Sequence, residues 1–271
     1  MTDFPDDSVE LLERLRSGDP ALSPEGITAA LAYVRHPRFA ENSADLDAEY
    51  LNNTIALLFA QPVRVLQLAD ALLELADNRQ QPRILRDYAM QHLFHAWERE
   101  EAVERKRQIE TRLRLEVKNA ESPLQGTALL TMARMFGEPV VQRGPTGRKL
   151  VSLSKPHVPA SSDRTVVYQR DEFIADAMRT AGQATSSPTA RASAFHALIR
   201  LETREAVSPA RKVISQDNPD EVLCAAIAAV SAFGDAETDS QALAVVSQKS
   251  ETVRKAAEIA LTRLQARQAR P

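Results

Sequence analysis

Apolar residues recur three and four positions apart along most of the chain, which is the spacing of one face of an α-helix. Several of these stretches begin with a Ser or Asn followed by Pro. This order is typical of a helix start, because the first residue can cap backbone N–H groups and Pro lacks the N–H that has no partner there. The pairs are Ser23-Pro24, Ser122-Pro123, Ser187-Pro188, Ser208-Pro209 and Asn218-Pro219. The pattern predicts helices over residues 8–17, 24–35, 46–60, 63–76, 82–97, 99–118, 123–136, 171–181, 188–204, 209–215, 219–233, 239–247 and 250–267.

Three of these helices share one arrangement of small and large apolar residues, at relative positions 0, 3, 6, 7 and 10. The sets are Arg191, Ala194, Ala197, Leu198 and Leu201; Leu223, Ala226, Ala229, Val230 and Phe233; and Arg254, Ala257, Ala260, Leu261 and Leu264. Their first members lie 32 and then 31 residues apart, and looser copies begin at Arg86 and Gln125. A stripe of alanines lets a neighbouring helix approach closely. One helix pair cannot bury such a face alone, so the repeat predicts stacked pairs.

At this point the chain resembles the HEAT-repeat family. The segments NPDEVLCAAIAAVSAFGD and SETVRKAAEIALTRL are similar to second helices of HEAT repeats, and Asp220 and Arg254 are residue types that the family often carries there. The resemblance is strongest over residues 188–264, looser over 82–136 and weak over 1–80. It implies an all-α fold: a right-handed α-solenoid of HEAT-like antiparallel helix pairs, which most often serves as a protein scaffold and occasionally as an enzyme. An irregular helical domain is the alternative.

Residues 138–170 interrupt the helical pattern with four prolines, two glycines and intervening Val and Thr, so we expect a loop or hairpin there. The sequence therefore divides into a helical region over 1–137, an irregular insertion over 138–170 and C-terminal repeats over 171–271. The insertion is rich in basic residues: Arg143, Arg148, Lys149, Lys155, Arg164 and Arg170. One hypothesis is that they bind an acidic partner. The other is a surface loop whose charges are solvated.

Composition narrows the class of protein. The formal net charge of −3 and the pI of about 6.0 provide no general attraction for nucleic acid or for anionic membranes. The single Cys224 excludes an intramolecular disulfide, and the longest apolar run, Val222 to Val230, is too short to cross a bilayer. The first residues, Met1 to Glu13, contain no apolar stretch typical of a signal peptide. We therefore expect a cytoplasmic protein with no part in a membrane.

The residues that carry chemistry form no clear catalytic or cofactor motif. His92, His95 and Glu98 lie three apart on one predicted helix, a spacing that allows a metal site. His92, however, falls on an alanine-rich repeat position, which favours packing. HEAT-like iron enzymes carry His-Glu dipeptides, and this chain has none. Cys224 lies inside an apolar run, so we expect a buried structural thiol.

HEAT-like DNA glycosylases provide the alternative function, because they resemble this architecture and hold an extruded base against aromatic and acidic residues. Trp97 with Arg86 and Arg99 would be the residues to test, although the acidic pI does not favour nucleic acid as a partner. The leading prediction is a non-enzymatic scaffold or adaptor without a cofactor. It would bind an unidentified protein partner through the concave face of a solenoid or through the basic insertion.

Overall fold

The computed structural model describes residues 3–5, 7–40, 44–136 and 167–269. Those residues form thirteen α-helices and no strand, which confirms the prediction of an all-α protein. The helices are α1 Ser8–Ser17, α2 Pro24–Arg35, α3 Ala44–Phe59, α4 Leu68–Asp77, α5 Arg83–Arg99, α6 Val103–Lys118, α7 Gln125–Phe136, α8 Arg170–Gly182, α9 Pro188–Arg200, α10 Val207–Ile214, α11 Asp220–Phe233, α12 Ala236–Val246 and α13 Glu251–Gln268. A 3-10 turn, Arg204–Ala206, directly precedes α10.

Two of the Ser-Pro pairs start helices as the sequence predicted. The Ser23 hydroxyl accepts a hydrogen bond from the Gly26 backbone N–H at 3.1 Å, and the Ser187 hydroxyl accepts one from Ala190 at 3.2 Å. Each bond satisfies one of the N–H groups that the first helical turn leaves without a partner. The sequence therefore determines the starts of α2 and α9 locally.

Two other pairs behave differently from the prediction. Helix α10 begins at Val207, so Pro209 lies within its first turn, where a missing N–H costs little. Helix α11 begins after Pro219, and the Asn218 side chain does not cap it. Instead, the Asn218 amide donates to the Val213 carbonyl at 2.9 Å and so closes the loop between α10 and α11.

The chain divides into two compact units, Met1–Arg112 (unit 1) and Leu113–Pro271 (unit 2), and the division falls within α6. The domain bounds drawn from composition, 1–137, 138–170 and 171–271, remain a prediction. Most of the proposed insertion, residues 138–166, lies outside the described residues. The part that is described ends at the first residue of α8, Arg170.

In unit 1, α3 packs against α1, α2 and α5, while α4 packs against α2 and α5. The core is mostly aliphatic, with fully buried Leu51, Ile55 and Leu72. Near the N-terminus, Phe4, Tyr33 and Tyr50 form an aromatic cluster in which the Tyr33 and Tyr50 ring centroids lie 4.8 Å apart.

In unit 2, the helices contact one another in a regular sequence. Helices α9, α11 and α13 follow α7 so that each packs on the previous member of this series, and α8, α10 and α12 do the same. Each even-numbered helix also packs against the odd-numbered helix that follows it. The alanines at repeat positions 3 and 6 are buried in all three helices: Ala194, Ala197, Ala226, Ala229, Ala257 and Ala260. The predicted stripe is therefore a packing surface.

Candidate binding surface

Five of the six basic residues predicted to bind a partner lie outside the described residues: Arg143, Arg148, Lys149, Lys155 and Arg164. Arg170, the sixth, is the first residue of α8. Its guanidinium Nη2 donates a hydrogen bond to the Leu201 carbonyl at 2.8 Å, at the C-terminal end of α9. Arg170 thus supports a helix end, where a cation is favoured by the free carbonyls and the helix dipole.

A charged network holds the start of unit 2 together around α8. The Tyr168 hydroxyl donates to the Asp176 carboxylate, and burial followed by this hydrogen bond raises the pKa of Tyr168. Glu172 accepts hydrogen bonds from Lys118 and from Arg114, which lowers the pKa of Glu172. These groups pair with one another and connect α6 to α8, so the network stabilises the packing of these two helices.

The histidines proposed as metal ligands lie in unit 1, in different surroundings. His92 Nε2 lies 2.9 Å from the Asn52 side-chain oxygen, which ties α5 to α3. His95 Nδ1 lies 3.9 Å from the nearer Glu98 carboxylate oxygen. Within the described residues no group of three or more His, Cys, Asp or Glu side chains is arranged to hold a metal ion.

The residues considered for a glycosylase-like site are engaged in the packing of unit 1. The Trp97 indole N–H donates to Glu110 at 2.8 Å, and the Lys106 ammonium lies 4.9 Å from the centre of the Trp97 ring system. Arg86 donates through Nε to the Ala76 carbonyl at 3.0 Å. Arg99 lies over the Phe59 ring and donates to the Phe59 carbonyl. Trp97 is buried, so it presents no exposed face for stacking on a base.

Cys224 is half-buried on α11, where a buried thiol was expected. Burial, together with the nearby Asp220 carboxylate, raises the pKa of the Cys224 thiol. A raised pKa leaves less thiolate at neutral pH, so this cysteine lacks the activation that a nucleophile needs. The expectation of a structural thiol stays a prediction that this environment favours.

One concave surface of unit 2 is lined by the ends of α9, α11 and α13, and we name it the end groove. Two adjoining cavities, of about 390 Å³ and about 350 Å³, share Arg204, Ala232 and Phe233 as lining residues. The first cavity is completed by Ile199, Arg200 and Glu202, and the second by Gly234, Asp235, Ala236, Glu237, Leu264, Arg267 and Gln268. The lining therefore combines an apolar floor with charged side chains of both signs.

Two arginines of the end groove lack a partner. Arg200 Nε is buried and has no hydrogen-bond acceptor among the described residues. Burial also lowers the pKa of the Arg200 guanidinium, which still remains charged at neutral pH. The exposed Arg204 side chain makes no ion pair within the described part of unit 2. The Arg200 Nε itself is out of a ligand's reach, so an incoming anionic group would bind these two arginines through their other guanidinium N–H groups.

Arg267 lines the opposite side of the end groove, and its guanidinium is engaged in hydrogen bonds to backbone carbonyls. Its guanidinium Nη2 donates to the Ser231 carbonyl at 2.8 Å and to the Gly234 carbonyl at 3.2 Å, and Nη1 donates to the Ala232 carbonyl. These bonds satisfy carbonyls that the end of α11 leaves open. Arg267 therefore fixes the end of α11 against α13, whereas Arg200 and Arg204 remain available.

The turn that carries the two arginines contains the one non-glycine residue with positive φ in the described chain, Glu202 at φ 55°. The Glu202 and Thr203 N–H groups bond back to the Ile199 and Leu198 carbonyls, at 3.0 Å each. This is the position after a helix end where glycine is normally favoured. Glu202 therefore brings a strained backbone and a carboxylate to the edge of the end groove.

A second groove lies between α10 and α12 and has a different character. It holds about 490 Å³, and its lining includes Ile214, Val246 and Val245, the last of which is 65% exposed. At one end Lys249 pairs with Asp217 at 2.7 Å. This groove is mainly apolar, and its cation already has a partner.

No protein-family model matches the sequence, and no curated protein resembles it at a significant level. No helix among the described residues combines the length and apolar character required to cross a lipid bilayer.

Sequence reasoning missed the end groove, because its residues come from helix ends that are distant in the chain. The predicted helix 188–204 also placed Arg200 and Arg204 on a continuous helix, whereas α9 ends at Arg200 and a turn follows. The sequence offered one signal for this surface, namely two arginines, Arg200 and Arg204, close together in a segment without glycine or proline. That signal does not reveal which surface the arginines share.

Proposed function

We propose that this protein is a non-enzymatic protein-interaction module, in which unit 2 is a HEAT-like, right-handed α-solenoid of antiparallel helix pairs. The regular contacts of α7, α9, α11 and α13, and of α8, α10 and α12, support the proposal, since a solenoid requires each element to contact its neighbours in order. The buried alanine stripe supports close approach of successive repeats.

The observation that carries the functional part of the proposal is the pair of unpartnered arginines beside Phe233 in the end groove. Arginine and aromatic side chains contribute disproportionately to protein–protein binding when they line a concave surface. Arg200 is already partly desolvated in the free protein, so a binding partner would have to remove less water from its guanidinium group. The end groove is therefore the proposed docking surface.

Site-specific photocrosslinking tests this proposal. A photoreactive amino acid in place of Gln268, which lines the end groove, should yield a discrete adduct in cells. The same group in place of the exposed Glu258 on α13, outside the groove, should not yield it. The adduct should disappear when Arg200→Gln and Arg204→Gln are combined. If the adduct is absent or independent of the two arginines, the end groove is not the docking surface.

The same two arginines also favour a second candidate, a nucleic-acid-binding protein, because guanidinium groups bind phosphates. A titration with duplex DNA over a range of salt concentrations tests it, since each phosphate contact steepens the loss of affinity with salt. Binding that is steeply salt-dependent and is lost in the double arginine variant would favour DNA over protein as the ligand.

A further inference from the structure

We propose that the end groove recognises a short acidic peptide segment in which carboxylate side chains flank a large apolar residue. This inference rests on the proposed function, and it specifies the chemistry of the partner. It follows from three features of the groove: its unpartnered cations, its apolar floor and its unpartnered carboxylates.

The cations select for carboxylate. A guanidinium group presents planar, paired N–H donors that match the two oxygens of a carboxylate. Arg200 lines the cavity and makes no side-chain hydrogen bond or ion pair among the described residues, and Arg204 contributes an exposed guanidinium in the same cavity. An Asp or Glu side chain of the ligand would pair with these guanidinium groups.

The apolar floor selects for a large side chain between the acidic ones. Ile199 and Phe233 are half-buried in the first cavity, and Leu264 closes the second. The removal of this surface from water provides the non-directional part of the binding free energy. A cavity of about 390 Å³ is large enough for a Leu or Phe side chain.

The carboxylates of the groove favour a peptide over a polyphosphate. Glu202 and Glu237 are both exposed, and neither makes an ion pair within the described residues. Asp235 is held by the Thr238 backbone N–H at 3.0 Å and lies 3.6 Å from Arg211. Glu202 and Glu237 therefore have free acceptor oxygens, for which a polyphosphate offers no N–H donor. They can accept hydrogen bonds from peptide N–H groups.

A selection from a library of random 12-residue peptides displayed on phage tests the proposal with the whole protein as bait. We expect enriched peptides to carry Asp or Glu on both sides of a large apolar residue. A synthetic, fluorescein-labelled copy of the most enriched peptide should then bind in fluorescence anisotropy. Replacing its acidic residues by Asn or Gln should weaken binding by about tenfold or more.

The matched variants separate the groove from the rest of unit 2. Arg204→Gln, at an exposed position, should weaken peptide binding about tenfold, and adding Arg200→Gln should abolish it. Arg254→Gln and Arg263→Gln remove exposed arginines of α13 outside the groove and should leave binding unchanged. Circular dichroism verifies that each variant retains its helical content.

Three outcomes would overturn the proposal. These are the absence of any enriched peptide, enriched peptides without an excess of Asp and Glu, and binding that the Arg204→Gln variant does not weaken. Enriched non-acidic peptides that still depend on the groove would refute only the acidic ligand and keep the proposed function. If both the selection and the photocrosslink at Gln268 fail, the proposed function fails with it.

Discussion

Units 1 and 2 each have an arginine at the same position of a helix, but the two arginines differ in the number of hydrogen bonds that they make. Arg86 and Arg191 are each the fourth residue of their helix, α5 and α9. Each donates through Nε to a carbonyl ten residues earlier, Ala76 at 3.0 Å and Ala181 at 3.3 Å. Arg191 is buried and also donates to the Asn218 side chain at 2.8 Å, in the loop before α11. The unit 2 arginine thus joins two successive helix pairs.

The two units also differ three helix positions after the first alanine of the stripe. Unit 1 has His92 there, bonded to Asn52 of α3, and unit 2 has Ala197, which is fully buried. An imidazole keeps neighbouring helices further apart and joins them by a directed hydrogen bond, whereas alanine allows close contact through dispersion alone. The difference teaches that, at this position of the repeat, α9 of unit 2 packs through a small residue whereas α5 of unit 1 packs through a larger, hydrogen-bonded one.

The largest expected effect comes from removing the arginine that joins two pairs. Arg191→Ala should lower the free energy of unfolding by about 3 kcal/mol, because two charge-assisted hydrogen bonds are lost in a buried site. Arg86→Ala should cost about 1 kcal/mol, because it removes one bond at a half-buried position. Urea unfolding followed by circular dichroism measures both. Equal losses would contradict the claim that Arg191 has the wider role.

A change at the alanine stripe should have the next largest effect. Ala197→Leu should lower the free energy of unfolding by about 2 kcal/mol, because Ala197 is fully buried on a helix that packs against α7 and α11, and three extra carbons would overpack this contact. Ala192→Leu is the matched control, since Ala192 is only half-buried on the same helix and should cost much less. Thermal unfolding of the pair provides the comparison. A similar loss at both positions would mean that the stripe is not a close-packed surface.

The smallest expected effect compares two helix ends. Gly18 ends α1 at φ 76°, and Glu202 follows the end of α9 at φ 55°. Gly18→Ala should lower the free energy of unfolding by about 1 kcal/mol, and Glu202→Gly should raise it by about as much. The reason is that only glycine adopts this backbone without strain. Glu202→Ala keeps the strain and removes the carboxylate, so it separates the two contributions. If Glu202→Gly gives no gain in urea unfolding, the turn is unstrained.

The sequence predicted the helices well where local signals act. Ser23 and Ser187 cap helices through bonds to residues three positions away, so the pattern is contained in a few consecutive residues. Prediction was wrong where no capping side chain marks the start of a helix, as at α4, whose preceding residue Gln67 makes no capping hydrogen bond. A helix was expected from residue 63, yet α4 starts at Leu68, and Val63 is 76% exposed. The proposed basic residues other than Arg170 lie outside the described part of the chain.

By itself, the sequence determined that the described chain is helical, where most helices begin, and which alanines would be buried. These properties depend on hydrogen bonds and periodicity within one helix, whose partners are close in the chain. Only the tertiary structure decided that Arg200 and Arg204 share a groove with Phe233, and that Arg170 and Arg267 support helix ends instead. The physical reason is that a groove is formed by side chains about thirty residues apart, whose proximity depends on how whole helices pack.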